Sequence, residues 1–169
     1  MSKKLIIIIA IIAVVVIAAV VLGIVLTKDK PAEDDKSALT ENVEGTLDEI
    51  MTKVYAGIPQ ENLPMALSNM EVNAENVGGF LGTTEVSFKE AMAREPMMSS
   101  VPHSVVLVRL NDAKDASAAV EKIKASVNPR KWICVEASNV VVKSKGDLVI
   151  LIMSNEDLAP KLEANFDIL

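Results

Sequence analysis

Hydrophobic residues form one uninterrupted run near the start of the chain and periodic patterns in the rest. The run at residues 5–26 contains only Leu, Ile, Val and Ala apart from Gly23. As a helix it rises about 33 Å, and the hydrocarbon core of a bilayer is about 30 Å thick. We therefore predict a cytoplasmic tail at residues 1–4, a transmembrane helix at 5–26, a charged tether at 27–37 and an extracytoplasmic domain at 38–169.

The residues in and around this run indicate whether it is cleaved and which way it crosses the membrane. Cleaved signal peptides usually have a shorter apolar region and a small-x-small cleavage site, whereas the sites available here begin with a branched residue. We favour a retained anchor, and a secreted domain released by signal peptidase stays the alternative. The short tail with Lys3 and Lys4 favours an inside N-terminus and an outside domain, although lysines also follow the run. Ala19 and Gly23 have the spacing that would allow a weak dimer between spans.

The first half of the domain has weaker patterns than the second half. Thr46 and Glu49 have the spacing of a capping box, which predicts a helix that ends at Gly57. Prolines and glycines punctuate the following stretch, where we predict only a short strand at residues 80–81. Residues 86–94 begin with alternating apolar and polar positions, and we predict a strand there although several of the residues favour a helix.

The second half of the domain has stronger periodicity. The β-branched run at residues 104–110 predicts a strand that is buried on both faces. Apolar residues at helical spacing then predict a helix that ends before Pro129. The remaining predicted elements are a strand region at residues 133–135 and 140–142, a hairpin turn at 144–147, a strand at 148–153, and a last helix that Asn155 caps and that contains Pro160 in its first turns.

This order of elements predicts an α+β protein. An N-terminal transmembrane helix precedes a small domain in which helices pack on a mixed, mostly antiparallel sheet.

The charge of the domain excludes some classes of partner. All 23 acidic residues follow the apolar run, together with 15 of the 17 basic residues, so this part has a formal net charge of −8. A nucleic-acid-binding protein would show a basic stripe, and an anionic lipid surface would repel this charge. We therefore expect no nucleic-acid partner. The expected partners are the lipid bilayer, through residues 5–26, and an unknown protein or envelope component.

The sequence contains one histidine, His103, and one cysteine, Cys134. A single cysteine cannot form an internal disulfide, and this pair cannot build a zinc site without carboxylates, so we predict no metal and no cofactor. Cys134 lies between Ile133 and Val135 in a predicted strand, where a buried cysteine acts as a small hydrophobic residue. We predict no catalytic residue. The alternative is a small thiol-dependent hydrolase that uses Cys134 and His103.

Two short segments form a candidate interaction surface. Arg130, Lys131 and the only tryptophan, Trp132, follow a predicted helix, and a guanidinium beside an indole could bind a carboxylate or a sugar ring. The competing interpretation is that Trp132 fills the edge of the core while the two cations cap the helix. Met97 and Met98 lie in a proline-bounded loop, where flexible methionines favour an adaptable binding surface.

The string Pro-Arg-Lys-Trp-Ile-Cys-Val at residues 129–135, together with the proline-bounded loop and residues 102–109, resembles a family of uncharacterised bacterial extracytoplasmic domains. The resemblance covers residues 46–154. It implies a location in the cell envelope and no catalytic site, and it transfers no functional residue. We therefore expect a single-pass protein of the bacterial cytoplasmic membrane whose non-enzymatic domain binds an unknown protein or envelope partner.

Overall fold

Two strands that are buried on both faces form the centre of the fold. Strand β3 (Ser104–Leu110) and strand β5 (Leu148–Ser154) are mostly aliphatic, and every residue of both is buried. Side chains of a strand point alternately to opposite faces, so such strands need cover on both sides. The computed structural model describes residues 41–169 and supplies that cover with helices on both faces of one sheet.

The sheet has five strands in the order β1-β2-β3-β5-β4. The other elements are α1 (Leu47–Val54), β1 (Leu67–Val72), α2 (Val77–Leu81), β2 (Phe88–Pro96), α3 (Ala116–Ser126), β4 (Asn139–Lys145) and α4 (Ala159–Asp167), with short 3₁₀ turns at Gln60–Asn62 and Ala113–Asp115. All four strand pairs are antiparallel, so the α+β prediction is confirmed and the mixed sheet is wrong. β3 and β4 run parallel, but β5 lies between them and pairs antiparallel with each.

The helices divide the core into two layers. Helices α1 and α4 cover one face, where they pack against the inward side chains of the central strands, Val105, Leu107, Ile150 and Ile152. Helices α2 and α3 cover the other face, against Val106, Val108, Val149 and Leu151. This strict alternation along β3 and β5 explains why both strands lack polar residues in their middle.

Several predicted elements are confirmed. Thr46 and Glu49 form the capping box: Glu49 N donates to Thr46 Oγ1 at 3.3 Å, and Thr46 N donates to Glu49 Oε2 at 2.8 Å. The same contacts lower the pKa of Glu49. Helix α1 ends at Val54, before the predicted Gly57. The hairpin between β4 and β5 turns at Gly146, whose φ of +57° suits a two-residue loop.

Two predicted elements in the less regular regions are wrong, and one strand was not predicted. Residues 80–81 belong to helix α2 instead of a strand. Strand β1 is missed, because its sequence LSNMEV contains one β-branched residue and its strand state depends on pairing with β2. Residues 133–135 lie outside any strand, since the chain there forms an irregular loop before β4 begins at Asn139. The strand predicted at residues 86–94 is confirmed, shifted to Phe88–Pro96.

The last helix begins later than predicted. Asn155 Oδ1 accepts hydrogen bonds from the backbone N–H groups of Asp157 and Leu158, at 3.1 and 2.8 Å, and so caps a turn that precedes the helix. Helix α4 starts at Ala159, which places Pro160 in the first turn, where a missing N–H leaves no broken helical bond.

Among residues 41–169, no helix is long and apolar enough to cross a membrane. The predicted transmembrane helix at residues 5–26, the tether at 27–37 and the contact through Ala19 and Gly23 lie outside the described residues.

Candidate functional site

Four exposed apolar side chains lie at one end of the sheet. Met65 precedes β1, Met97 and Met98 follow β2, and Ile133 lies in the loop between α3 and β4. Their relative exposures are 76%, 81%, 49% and 68%, which is unusual for side chains of this size. These four residues are named the methionine patch below.

Backbone hydrogen bonds bring the three segments of the methionine patch together. Met97 N donates to Ala66 O at 3.1 Å, which extends the β1–β2 pairing into the segment that carries Met65. Ile133 N donates to Ser99 O at 3.4 Å and joins the α3–β4 loop to the loop after β2. The segments that carry the patch are therefore neighbours at this end of the sheet, although they are far apart in sequence.

The chain enters the described region at the other end of the sheet, where a buried arginine holds it. Arg109 Nη1 donates to Val43 O at 3.0 Å, and Nη2 donates to Gly45 O at 2.8 Å. Arg109 also pairs with Glu90 at 2.9 Å and with Asp147 at 3.3 Å. This arrangement is named the arginine clamp. It satisfies a buried guanidinium with two carboxylates and two carbonyls.

The arginine clamp and the methionine patch are separated by the length of β3. Ser104 begins β3 directly after the loop that carries Met97, and Arg109 lies five residues further on. At about 3.4 Å per residue the separation along the strand is about 17 Å. The two features therefore lie at opposite ends of β3.

The predicted surface residues Arg130 and Lys131 have partners within the domain. Arg130 is exposed and pairs with Glu136 at 3.3 Å. Lys131 is mostly buried, pairs with Glu95 and lies 3.5 Å from Ser104 Oγ. The two cations therefore bind carboxylates on neighbouring loops and strands, and the expectation that they cap helix α3 is wrong.

Trp132 lies at the edge of the core, as one of the two sequence interpretations held. It is partly buried and packs against the core layer under α2 and α3, together with Phe80. The ammonium of Lys131 lies 4.9 Å from the ring centre of Phe80 and 5.4 Å from that of Trp132, within cation–π range. Met97 and Met98 of the predicted surface are exposed. A backbone hydrogen bond connects their loop to Ile133, whereas Trp132 packs against the core.

Cys134 is exposed, and the expectation of a buried cysteine in a strand is wrong. Its φ of +60° is left-handed, and the loop around it has no strand pairing. The apolar neighbours Ile133 and Val135 suggested a strand, but the chain turns here to reach β4. Cys134 takes no part in the hydrogen bonds of His103.

A buried polar chain runs across the sheet face that α1 covers. Tyr55 Oη lies 2.7 Å from His103 Nε2, and His103 Nδ1 lies 2.9 Å from Ser154 Oγ. A neutral imidazole suits this arrangement because one nitrogen donates while the other accepts. Burial, and to a smaller extent the positive charge of Arg94, lower the pKa of His103 to about 4. Burial also raises the pKa of Tyr55.

Within residues 41–169, Arg94 forms no ion pair, whereas Arg109 and Arg130 both do. Its guanidinium carbon lies 4.7 Å from the ring centre of Tyr55. Its Nε is the only buried side-chain nitrogen or oxygen in residues 41–169 without a hydrogen-bond partner. Arg94 as a residue is partly exposed.

No known family model, curated protein or solved structure matches this chain. The family resemblance carried by residues 129–135 therefore stays a prediction. Within residues 41–169 no group of three or more histidine, cysteine or carboxylate side chains could hold a metal ion.

The sequence patterns did not identify Ile133 or Arg94 as surface candidates; Met65 was one of several methionines that could belong to an adaptable surface, but no pattern joined it to Met97. Met65 and Ile133 join Met97 only through contacts between distant segments. Arg94 lies in an ordinary strand pattern, and its lack of a counter-ion follows from the positions of acidic residues on other strands and helices. No local sequence signal indicates either property.

Proposed function

We propose that this chain is a single-pass protein of a bacterial cytoplasmic membrane, with its N-terminus inside and a non-enzymatic binding domain outside. The apolar run at residues 5–26 supports the anchor, through its length and lack of charge. The family resemblance supports the envelope location. The domain binds a protein or envelope partner through the methionine patch.

The methionine patch is the observation that carries this proposal. The four residues of the patch expose apolar area at one end of the sheet. A single exposed hydrophobic residue is normal on a protein surface, whereas several together indicate an interaction site. Methionine is flexible and polarizable, which suits a surface that adapts to a partner. The patch also lies away from the arginine clamp, so docking does not compete with the attachment of the tether.

The internal contacts of His103 support a binding role over a catalytic one. Its two ring nitrogens are engaged by Tyr55 and Ser154 in the protein interior, which leaves no free nitrogen to activate a thiol. The alternative hydrolase would need Cys134 and His103 to meet after a rearrangement of the loop and the buried chain.

Crosslinking in intact cells tests the binding role. A photoreactive amino acid replaces Met97 in one strain and Lys114, which is exposed on the 3₁₀ turn before α3, in a control strain. The expected result is a discrete crosslinked adduct from position 97 and none from position 114. Equal adducts from both positions, or none from position 97, would contradict docking at the patch.

Two further measurements test the location. Protease added to intact, wall-stripped cells should degrade the domain, and full protection of the domain would contradict the proposed orientation. The mass of the mature protein decides between a retained anchor and a secreted domain, because removal of residues 5–26 would be directly visible.

A further inference from the structure

The methionines of residues 41–169 differ sharply in their access to solvent. Met65, Met97 and Met98 have relative exposures of 76%, 81% and 49%, whereas Met51 and Met153 are fully buried at 0%. The methionines within β1 and β2 are partly buried. The three exposed methionines all belong to the methionine patch, so the accessible thioethers of the described residues are concentrated at one end of the sheet.

The chemistry of methionine goes beyond what apolar docking needs. Leucine or isoleucine would offer comparable apolar area, and Ile133 does so at the fourth position of the patch. A thioether that water can reach is also open to peroxides, which convert it to methionine sulfoxide, and dedicated reductases reverse the reaction. The methionine patch therefore combines an apolar surface with side chains whose polarity can be changed and restored.

We infer that Met65, Met97 and Met98 form a site of reversible oxidative modification, at which a peroxide converts the thioethers to sulfoxides and thereby releases the docked partner. The release rests on the proposed function, because the partner concerned is the one that docks on the methionine patch. The modification itself depends only on the accessibility of the three side chains.

The modification is a two-electron transfer of an oxygen atom. With hydrogen peroxide, a lone pair of the thioether sulfur attacks one peroxide oxygen, and an S–O bond forms as the O–O bond breaks. The second oxygen leaves as water after a proton transfer. In the reverse direction, two thiol groups of a methionine sulfoxide reductase reduce the sulfoxide, and the products are the thioether, a disulfide and water.

Oxidation of the exposed methionines changes the surface and spares the core. A sulfoxide oxygen is a polar acceptor, so burying it against an apolar partner costs it the hydrogen bonds of water. In the free domain the same oxygen stays in water. Met51 lies in the layer that α1 and α4 cover, and Met153 lies in the layer that α2 and α3 cover, where burial keeps the oxidant away. The oxidised domain therefore keeps its fold and loses its apolar patch.

Peptide mass mapping of the full chain in detergent micelles tests the modification. Cys134 is alkylated beforehand, because it is exposed and also reacts with peroxide. Under limited hydrogen peroxide treatment, the exposed methionines should gain one oxygen about tenfold or more faster than Met51 and Met153. The difference should disappear in urea, where every methionine is accessible. Trp132 fluorescence and the urea midpoint of the oxidised protein should match those of the untreated protein.

Crosslinking in intact cells tests the release. A photoreactive amino acid replaces Ser100, an exposed neighbour, so that all three methionines stay in place. The matched control is the same chain with Met65→Leu, Met97→Leu and Met98→Leu, which keeps the apolar area and contains no oxidisable sulfur in the patch. Peroxide added before illumination should lower the adduct about tenfold in the methionine chain and leave it unchanged in the leucine chain. The partner meets the same oxidant in both strains, so the difference reports on the patch.

The outcomes separate this inference from the proposed function. Oxidation of Met51 and Met153 at the rate of the exposed methionines would overturn the modification site, and an equal response of the two chains to peroxide would overturn the release. Both results leave docking at the patch standing. Absence of the adduct from both chains before peroxide is added would contradict the proposed function, and the release with it. The mass map decides the modification in every case, since it needs no partner.

Discussion

The buried histidine gives a specific expectation for the pH dependence of stability. His103 is almost fully buried, and its pKa is about 4 in the folded protein against an ordinary value of 6.5. In the unfolded chain it binds a proton at a higher pH, so between these values the unfolded state binds more protons. The free energy of unfolding is therefore at its full value above pH 6.5 and falls as the pH is lowered towards 4.

The size of this loss follows from the difference between the two pKa values. A shift from 6.5 to about 4 corresponds to on the order of 3 kcal/mol of lost stability once the pH is below both values. The physical causes are the removal of the imidazolium from water and its repulsion by Arg94. An imidazolium would donate through both ring nitrogens, so the hydroxyl that donates to the neutral ring would have to turn and accept instead.

Urea unfolding of the full chain in micelles, followed by Trp132 fluorescence at several pH values, measures this effect. His103→Gln keeps a neutral polar side chain and removes the titration. Carboxylates titrate in both proteins, so the difference between wild type and variant isolates the histidine. The difference should change between pH 6.5 and 4 and stay constant above pH 6.5. Parallel curves for the two proteins over the whole range would refute the argument.

Three other predictions use the same unfolding assay or a simple chemical probe. Arg109→Met should lower the free energy of unfolding by about 3 kcal/mol, because it leaves buried carbonyls and a carboxylate without their partner. Lys114→Met removes an exposed ion pair and should give no measurable change. Equal effects of the two substitutions would contradict the arginine clamp. Gly82→Ala should destabilise the domain clearly, since a Cβ there would clash with the carbonyl oxygen of Ser126 at a φ of +76°, while Gly79→Ala, with open space, should not. Cys134 should react rapidly with a thiol reagent in the folded protein, and protection until unfolding would contradict its exposure.

The predictable parts of the fold were those with strong local signals. The apolar run at residues 104–110 and the capping box at Thr46 specify their structures through burial and local hydrogen bonding, and both are confirmed. Strand β1 has almost no strand propensity of its own and exists because β2 provides a pairing edge. Residues 133–135 have the composition of a strand, but the chain must turn there to reach β4.

The candidate site was predictable only in part, for a related reason. Met97 and Met98 were identified because a proline-bounded loop with two methionines is locally unusual. Whether Lys131 or Arg94 is available to a partner depends on where acidic residues of other elements come to lie. Glu95 pairs with Lys131, and no carboxylate in residues 41–169 pairs with Arg94, a difference that exists only after the strands have assembled.

The arginine clamp also determines how tension on the N-terminal side of the domain would be distributed. Val43 and Gly45 are bonded to Arg109 on β3, which has β2 and β5 on its two sides. A pull through the preceding residues would thus load the middle of the sheet, where both neighbouring ladders share the force. The outer strands β1 and β4, each held by one neighbour, would not be peeled away first. Attachment at the centre of the sheet therefore lets the domain keep its shape when force is applied through its N-terminal side.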